Sequence, residues 1–217
     1  MAIPKIPHYD APTDVALSRS PLPWKLDVRR AALLVHDMQN YFLRPYESAR
    51  FVHGIIDNIV AIRRLCHELN VPVYYTAQPG GQSKEHRGLL LDFWGAGMPQ
   101  DDEATAIVPG LEPVPGVDQI LVKHRYSAFA RSDLLQRLRQ AGRSQLVICG
   151  VYAHIGCMVT ATDAFMADIQ PFFVADALGD FSLAHHEMAL RLVAHCSGRV
   201  LPAMQVKQAL ASELLTT

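Results

Sequence analysis

The sequence predicts an α/β fold: a single domain in which a parallel sheet of about six strands carries helices on both faces. Short apolar runs alternate along the chain with amphipathic segments of helical period, the pattern of repeated strand–helix units. The length of 217 residues, 50% of them hydrophobic and 19% charged, suits one domain with its own core. The same balance excludes a disordered chain, which needs low hydrophobicity and high net charge.

Each predicted strand is a short apolar run, as expected of strands buried on both faces. In chain order these strands cover residues 31–35, 71–76, 119–122, 145–149, 172–175 and 199–201. Helices are predicted between and after them, over residues 55–69, 133–141, 156–168, 182–196 and 204–215. Ser132 and Ser182 are predicted N-caps, and Gly142 is a predicted helix stop.

Two segments do not follow this alternation. Residues 1–26 are rich in proline, and we expect an extended N-terminal arm that lies on the domain or on a partner subunit. Residues 79–116 show little periodicity, and long loops in compact domains are mostly functional. We expect this second segment to form a lid over the site, helical around residues 85–93.

Charge and composition exclude several classes of partner. The chain has 20 basic and 21 acidic residues without a basic stripe, which argues against nucleic acid and anionic membranes. It contains no apolar run of about 18 residues, so we expect no membrane span. The polar, proline-containing N-terminus does not resemble a signal peptide. The four cysteines lack metal-site spacing and are expected to be reduced thiols, so a cytoplasmic location is predicted.

Polar residues follow several of the predicted strands. Parallel sheets bind ligands outside the carboxyl ends of their strands, so these side chains are expected to face one crevice. They are Asp37, Gln78, Lys123, Arg125, Tyr152 and Asp176. The N-terminus of the helix predicted to begin at Gly156 would favour an anion there. The dinucleotide, phosphate-loop and nucleophile-elbow motifs are absent from the sequence.

Several ordered motifs along the chain resemble those of isochorismatases. They are VHDMQ at 35–39, YYTAQP at 74–79, DFWG at 92–95, KHRYSAF at 123–129 and GVYAHIG at 150–156. The likeness runs over residues 1–200, and the family's Rossmann-like sheet agrees with the predicted fold. The resemblance implies an isochorismatase-like domain over residues 1–217, acting on a small-molecule substrate as a homo-oligomer, a dimer by expectation.

The resemblance also implies roles for individual residues. Asp37 is the expected general acid, with Lys123 beside it as the second catalytic residue. Gln78, Arg87, Tyr152 and the backbone N–H of Gly156 are expected to bind polar groups of the substrate. An apolar wall is expected from Phe42, Trp94 and Tyr126. Neither a metal nor an organic cofactor is expected.

The implied reaction is hydrolysis of the enolpyruvyl ether of isochorismate, which yields pyruvate and 2,3-dihydro-2,3-dihydroxybenzoate. Protonation of a vinyl ether at carbon is slow and needs a well-placed acid. Burial would raise the pKa of Asp37, whereas Lys123 would lower it, and the sequence leaves the outcome open.

Three functional alternatives stay open at this point. Related cysteine amidohydrolases carry a nucleophile that aligns with Gly156 here, while Cys157 is one residue late and should point about 100° away. A non-catalytic docking module is the second alternative. The third is the same reaction on 2-amino-2-deoxyisochorismate in phenazine biosynthesis rather than in catecholate siderophore biosynthesis. Residues 1–217 contain no aryl carrier motif, so a separate carrier protein is a possible partner, and His124 stands where the family motif has tryptophan.

Overall fold

The computed structural model of the protein describes residues 3–12 and 22–214. Its strands are β1 (Ala31–His36), β2 (Val73–Ala77), β3 (Gln119–Val122), β4 (Gln145–Val151), β5 (Gln170–Gly179) and β6 (Arg199–Leu201). Within the described ranges these six strands form one parallel sheet in the order β3-β2-β1-β4-β5-β6. The predicted α/β class and strand number are therefore confirmed.

The helices follow the predicted alternation, with additional short ones in the long loops. They are α1 (Asn40–Leu43), α2 (Ala49–Glu68), α3 (Lys84–Arg87), α4 (Leu90–Trp94), α5 (Asp102–Thr105), α6 (Leu134–Gln140), α7 (Met158–Met166), α8 (Leu183–Cys196) and α9 (Ala203–Leu214). A π-helical turn, Ala153–Cys157, joins β4 to α7. The expected helical part of the lid is confirmed by α3 and α4.

Two apolar layers enclose the sheet, because successive residues of a strand point to opposite faces. On β1, Leu33 and Val35 pack with α2 and α9, while Leu34 packs on the other side with α6, α7 and α8. Every residue of β1 is buried. Truncating a buried leucine to alanine at such a position typically costs about 2–5 kcal/mol of folding free energy.

The strand order places a crevice at the carboxyl ends of β1 and β4. The chain runs outward from β1 to β2 and β3, and then returns to β4 on the other side of β1. His36, the last residue of β1, is paired in register with Thr76 of β2 and with Gly150 of β4. Open parallel sheets bind ligands at such a reversal of strand order.

Several element bounds differ from the sequence-based expectations, and three of these differences concern predicted site or capping residues. Strand β5 continues to Gly179, so Asp176 lies inside the strand rather than at its end. The helix after β4 begins at Ala153 with the π-helical turn, three residues before the predicted start at Gly156. The N-cap of α6 is Asp133 rather than Ser132, whereas Ser182 caps α8 as predicted and accepts a hydrogen bond from the backbone of His185.

The described part of the N-terminal arm lies against its own domain. Ile6 forms an isolated parallel bridge with Tyr46, and Tyr9 packs against Phe51. The predicted arm also includes residues 1–2 and 13–21, and the predicted last helix ended at residue 215; all of these lie outside the described ranges. Among the described residues, no helix combines the length and apolar character needed to cross a membrane.

Candidate active site

A cavity opens at the carboxyl edge of the sheet, beneath the lid. All nine predicted site residues line it, namely Asp37, Phe42, Gln78, Arg87, Trp94, Lys123, Tyr126, Tyr152 and Gly156. The cavity is also lined by residues that were not among the predicted site residues, including His36, Tyr41, Met98 and Phe181. The parallel topology brings together the residues that follow the strands, because these strands all end at one edge, and the helices α1, α3 and α4 add Phe42, Arg87 and Trp94.

Asp37 follows β1 directly and is almost fully buried, with 4% of its surface exposed. Its backbone has a φ of +50°, a conformation that aspartate tolerates better than most residues. Its Oδ1 accepts a 2.6 Å hydrogen bond from the hydroxyl of Thr76, and its Oδ2 accepts a 3.1 Å bond from the amide of Gln78. The carboxylate is therefore held in one orientation towards the cavity.

Lys123 is buried beside this carboxylate. Its Nζ lies 2.8 Å from Oδ2 of Asp37 and also donates to the backbone oxygens of Arg125, at 2.8 Å, and Tyr126, at 3.3 Å. These three acceptors account for the three N–H groups of an ammonium. In this arrangement Lys123 acts on the site through its charge on Asp37.

The charge state of Asp37 follows from opposing effects. Burial acts to raise the pKa of the carboxyl, but the ammonium of Lys123 and the hydrogen bonds to the carboxylate outweigh it and lower the pKa below its usual value. Burial therefore does not keep Asp37 protonated in this structure. The site holds an ionised carboxylate paired with a cation.

Gln39 organises the neighbouring part of the site and was not among the predicted residues. Its side chain forms two hydrogen bonds with the backbone of Gln78, at 2.8 and 2.9 Å, and donates a third to the backbone oxygen of Thr105 at 2.7 Å. It thereby joins α5, in the later part of the lid segment, to the residue that follows β2. Gln39 lies two residues after Asp37, within the motif at 35–39, and this position in the motif could have identified it as a site residue.

Arg87 reaches the cavity from α3 of the lid and is only 5% exposed. Its Nε donates a 3.0 Å hydrogen bond to the backbone oxygen of Gly95, which leaves the terminal nitrogens of the guanidinium for other partners. A Cβ on Gly97 would lie 2.5 Å from Cζ of this guanidinium. The loop after α4 therefore needs a glycine at residue 97, whose φ is +78°, to wrap around Arg87.

Aromatic side chains form the apolar wall. Trp94, on α4, donates a 2.8 Å hydrogen bond from Nε1 to the hydroxyl of Tyr126, which connects the lid to the loop after β3. Phe181 packs on Tyr152 at a ring distance of 4.5 Å. The hydroxyl of Tyr152 donates to the backbone oxygen of Phe42 at 2.5 Å, so its hydrogen is directed away from a ligand.

Three polar residues near the strand ends do not join the cavity lining. Asp176 accepts a 2.6 Å hydrogen bond from the backbone of Ala203 and thereby holds the start of α9. Arg125 donates to the backbone oxygens of His86 and His124, each at 2.6 Å, so it ties the lid to the loop after β3. His124 bonds to Gln82 at 3.1 Å on the lid.

The cysteine at residue 157 does not face the cavity. Its side chain is fully buried in the apolar layer around Leu146 and Leu178, and burial raises the pKa of its thiol well above the usual value. A thiol of this kind is a poor nucleophile, because the thiolate is the reactive form. Residue 156, which does line the cavity, is glycine. Among the described residues, no three His, Cys, Asp or Glu side chains are grouped to hold a metal ion.

Comparisons with known proteins identify the family of the chain. The family model for the isochorismatase domain matches residues 31–205. The chain is 52% identical over 201 residues to enterobactin synthase component B of Escherichia coli, covering 92% of this chain and 70% of that protein. It is 54% identical over 193 residues to phenazine biosynthesis protein PhzD1 of Pseudomonas aeruginosa, covering 88% and 92% of the two chains.

A solved structure supports the fold. It is described as a cysteine hydrolase from Pseudomonas syringae, and it superposes with a TM-score of 0.79 at 22% identity, over 87% of this chain and 96% of that one. The likeness at this identity concerns the fold alone. Taken with the family match over most of the sheet and the lid, it leads to one assignment: the chain belongs to the isochorismatase family and is a hydrolase of the isochorismatase type.

Proposed function

We propose that this protein hydrolyses the enolpyruvyl ether of isochorismate to 2,3-dihydro-2,3-dihydroxybenzoate and pyruvate, with Asp37 as the general acid. The observation that carries the proposal is the buried Asp37–Lys123 pair at the floor of an aromatic cavity that also contains Arg87. The pair supplies a proton-transfer group, while no thiol points into the cavity among the described residues. This combination suits acid catalysis without a covalent step.

The reaction proceeds through a carbocation. Protonated Asp37 gives its proton to the terminal methylene carbon of the enolpyruvyl group, which leaves an oxocarbenium ion and an aspartate carboxylate. Water adds to this ion, and its released proton returns to Asp37. As the bond from the hemiketal carbon to the ring oxygen breaks, Asp37 gives its proton to the ring oxygen, and the hemiketal hydroxyl loses its proton to Asp37 to form the carbonyl of pyruvate. The anionic Asp37 formed in the first step stabilises the cation electrostatically.

The resting carboxylate has to gain a proton before the first step. Isochorismate carries two carboxylates, and negative charge brought next to Asp37 raises the pKa of its side chain, since like charges disfavour ionisation. The substrate itself therefore prepares the acid. Proton uptake accompanies binding in this scheme, and Lys123 limits how far the pKa rises.

Recognition of the substrate rests on the lid. The guanidinium of Arg87 suits a carboxylate, because its planar fork can donate two parallel hydrogen bonds. Gln78 and the backbone N–H of Gly156 are further polar partners, and Phe42, Trp94, Tyr126 and Tyr152 enclose the ring. Exclusion of bulk water by this wall strengthens every charge interaction inside.

The relative named enterobactin synthase component B favours a place in catecholate siderophore biosynthesis. The alternative is the same hydrolysis of 2-amino-2-deoxyisochorismate in phenazine biosynthesis, which the relative named for that pathway favours. We further propose a cytoplasmic homodimer that interacts with an aryl carrier protein. Light scattering of the purified protein tests the dimer, and a pull-down with carrier protein tests the interaction.

The decisive experiment measures pyruvate release by purified protein. Isochorismate is generated in situ, pyruvate is read through lactate dehydrogenase, and the 2-amino analogue is assayed in parallel, with EDTA in both reactions. Turnover of isochorismate with the larger kcat/KM supports the siderophore assignment, and the reverse ratio supports the phenazine assignment. Absence of pyruvate from both substrates would refute the proposed activity.

A further inference from the structure

His36 lies at the centre of the crevice, and the mechanism above does not use it. It ends β1, its side chain is completely buried, and it lies next to the cavity. Its Nδ1 donates a 2.9 Å hydrogen bond to the backbone oxygen of Val151 and lies 3.8 Å from Oδ2 of Asp37. Burial lowers the pKa of the ring to about 4, so His36 is neutral at neutral pH.

Two glycines, Gly150 within β4 and Gly156 in the turn that follows it, are in contact with this residue. A Cβ on Gly150 would overlap the backbone oxygen of His36, and Gly150 has a φ of +113°. The backbone at residue 150 therefore requires glycine. A Cβ on Gly156 would instead overlap Cε1 of the His36 ring and lie 2.9 Å from its Nε2. Gly156 does not have a positive φ. The ring rather than the backbone therefore dictates glycine at residue 156.

The ring has little freedom to make room. It has no exposed surface, and its Nδ1 is tied to Val151. The backbone oxygen of Tyr126 lies 3.1 Å from the same Cβ position on Gly156 and closes the space from another side. A side chain at residue 156 would thus have to displace the ring of His36 or the backbone at Tyr126.

We propose that His36 is a positioning residue whose ring occupies the space that a side chain at residue 156 would need. The ring thereby fixes Asp37 and leaves only backbone at that wall of the site. This packing restricts the type of reaction that the site can catalyse. No side-chain nucleophile can stand at residue 156, facing Asp37 and Lys123, while the ring is in place. At that wall, Asp37 therefore faces the substrate cavity rather than a side chain of residue 156. This inference rests on the proposed function for its kinetic meaning, while the packing relationship is independent of it.

A double-mutant cycle tests the relationship. The variant His36→Asn keeps an N–H donor for the Val151 oxygen but removes the ring atoms that face Gly156. We expect Gly156→Ala to lower kcat/KM by about 10-fold or more in the wild-type background and by less than about 3-fold in the His36→Asn background. Gly54→Ala, where an added Cβ meets nothing within 4 Å, is the matched control and should leave activity unchanged.

Two further readouts separate positioning from a purely structural role. His36→Asn alone should lower kcat with little change in KM, because it disturbs the acid rather than the binding groups. Thermal unfolding should show the same coupling without substrate: Gly156→Ala lowers the Tm, and His36→Asn restores part of it. Additive effects of the two substitutions on both kcat/KM and Tm would overturn the proposal. Absence of pyruvate release by the wild type would instead contradict the proposed function and leave the Tm coupling as the test.

Discussion

Nζ of Lys123 lies 2.8 Å from Oδ2 of Asp37, and both side chains are almost completely buried. A buried ion pair of this kind holds its members in fixed positions, and removal of either member leaves an uncompensated charge. In this protein the pair also sets the proton affinity of the proposed acid. Its two residues directly follow strands β1 and β3, which are separated by β2.

Removal of the acid should abolish most of the activity. Asp37→Asn keeps the shape of the side chain but has no transferable acidic proton, so we expect turnover to fall by about 10²-fold or more. Steady-state pyruvate release measures the effect. Thr76→Val, which deletes one hydrogen bond to the carboxylate and keeps the acid, is the control and should lose much less. Near-normal turnover of Asp37→Asn would contradict the assigned role.

The pH dependence should report the influence of Lys123 on Asp37. The acid form is the active one, so kcat/KM falls as pH rises through the pKa of Asp37 in the free enzyme. Lys123 lowers this pKa, so the fall in kcat/KM is expected at acidic pH. Lys123→Met removes the cation, raises the pKa, and should move the fall to higher pH. An unchanged pH profile would show that Lys123 does not influence the ionisation of Asp37.

Arg87 should govern binding more than chemistry. Arg87→Ala is expected to raise KM with a smaller change in kcat, as for an interaction made equally in ground and transition states. Gly97→Ala should act in the same direction, because its Cβ would displace the guanidinium. Initial-rate kinetics with isochorismate distinguish the two constants. A wild-type KM in both variants would remove Arg87 from the binding site.

The hydrogen bond from Trp94 to Tyr126 should hold the lid closed. Tyr126→Phe deletes the acceptor and keeps the ring, so we expect a loss of about 1 kcal/mol, or roughly 5-fold in KM. Tyr75→Phe, which deletes a hydroxyl bonded to Arg63 away from the cavity, serves as the control and should leave KM unchanged. Equal effects of the two substitutions would argue against a specific role of the Trp94 contact.

Catalysis should not depend on a thiol. We expect Cys157→Ala to retain wild-type kcat, and iodoacetamide to leave turnover unaffected. Cys196, the exposed cysteine, should be alkylated under the same conditions, and mass spectrometry of the labelled protein provides the positive control. Loss of activity that follows modification of Cys157 would instead support the amidohydrolase alternative.

The strand–helix pattern and the site residues were readable from the sequence. The strands β3 and β6 have the predicted bounds, and β1 differs by one residue, because a buried strand is a local run of apolar side chains. The nine proposed site residues all reach the cavity, since strand-end positions and family motifs identify them. The expected position of Asp176 was wrong because hydrophobicity does not mark where β5 ends.

The tertiary structure decided relationships that no local pattern contains. The ionised state of Asp37 depends on the distance to Lys123 and on hydrogen bonds from β2. The need for glycine at residue 156 depends on the ring of His36, which is 120 residues earlier in the chain. Apolar periodicity records which face of an element is buried, whereas charge states and steric exclusion depend on ångström-scale distances between side chains that only the folded chain brings together.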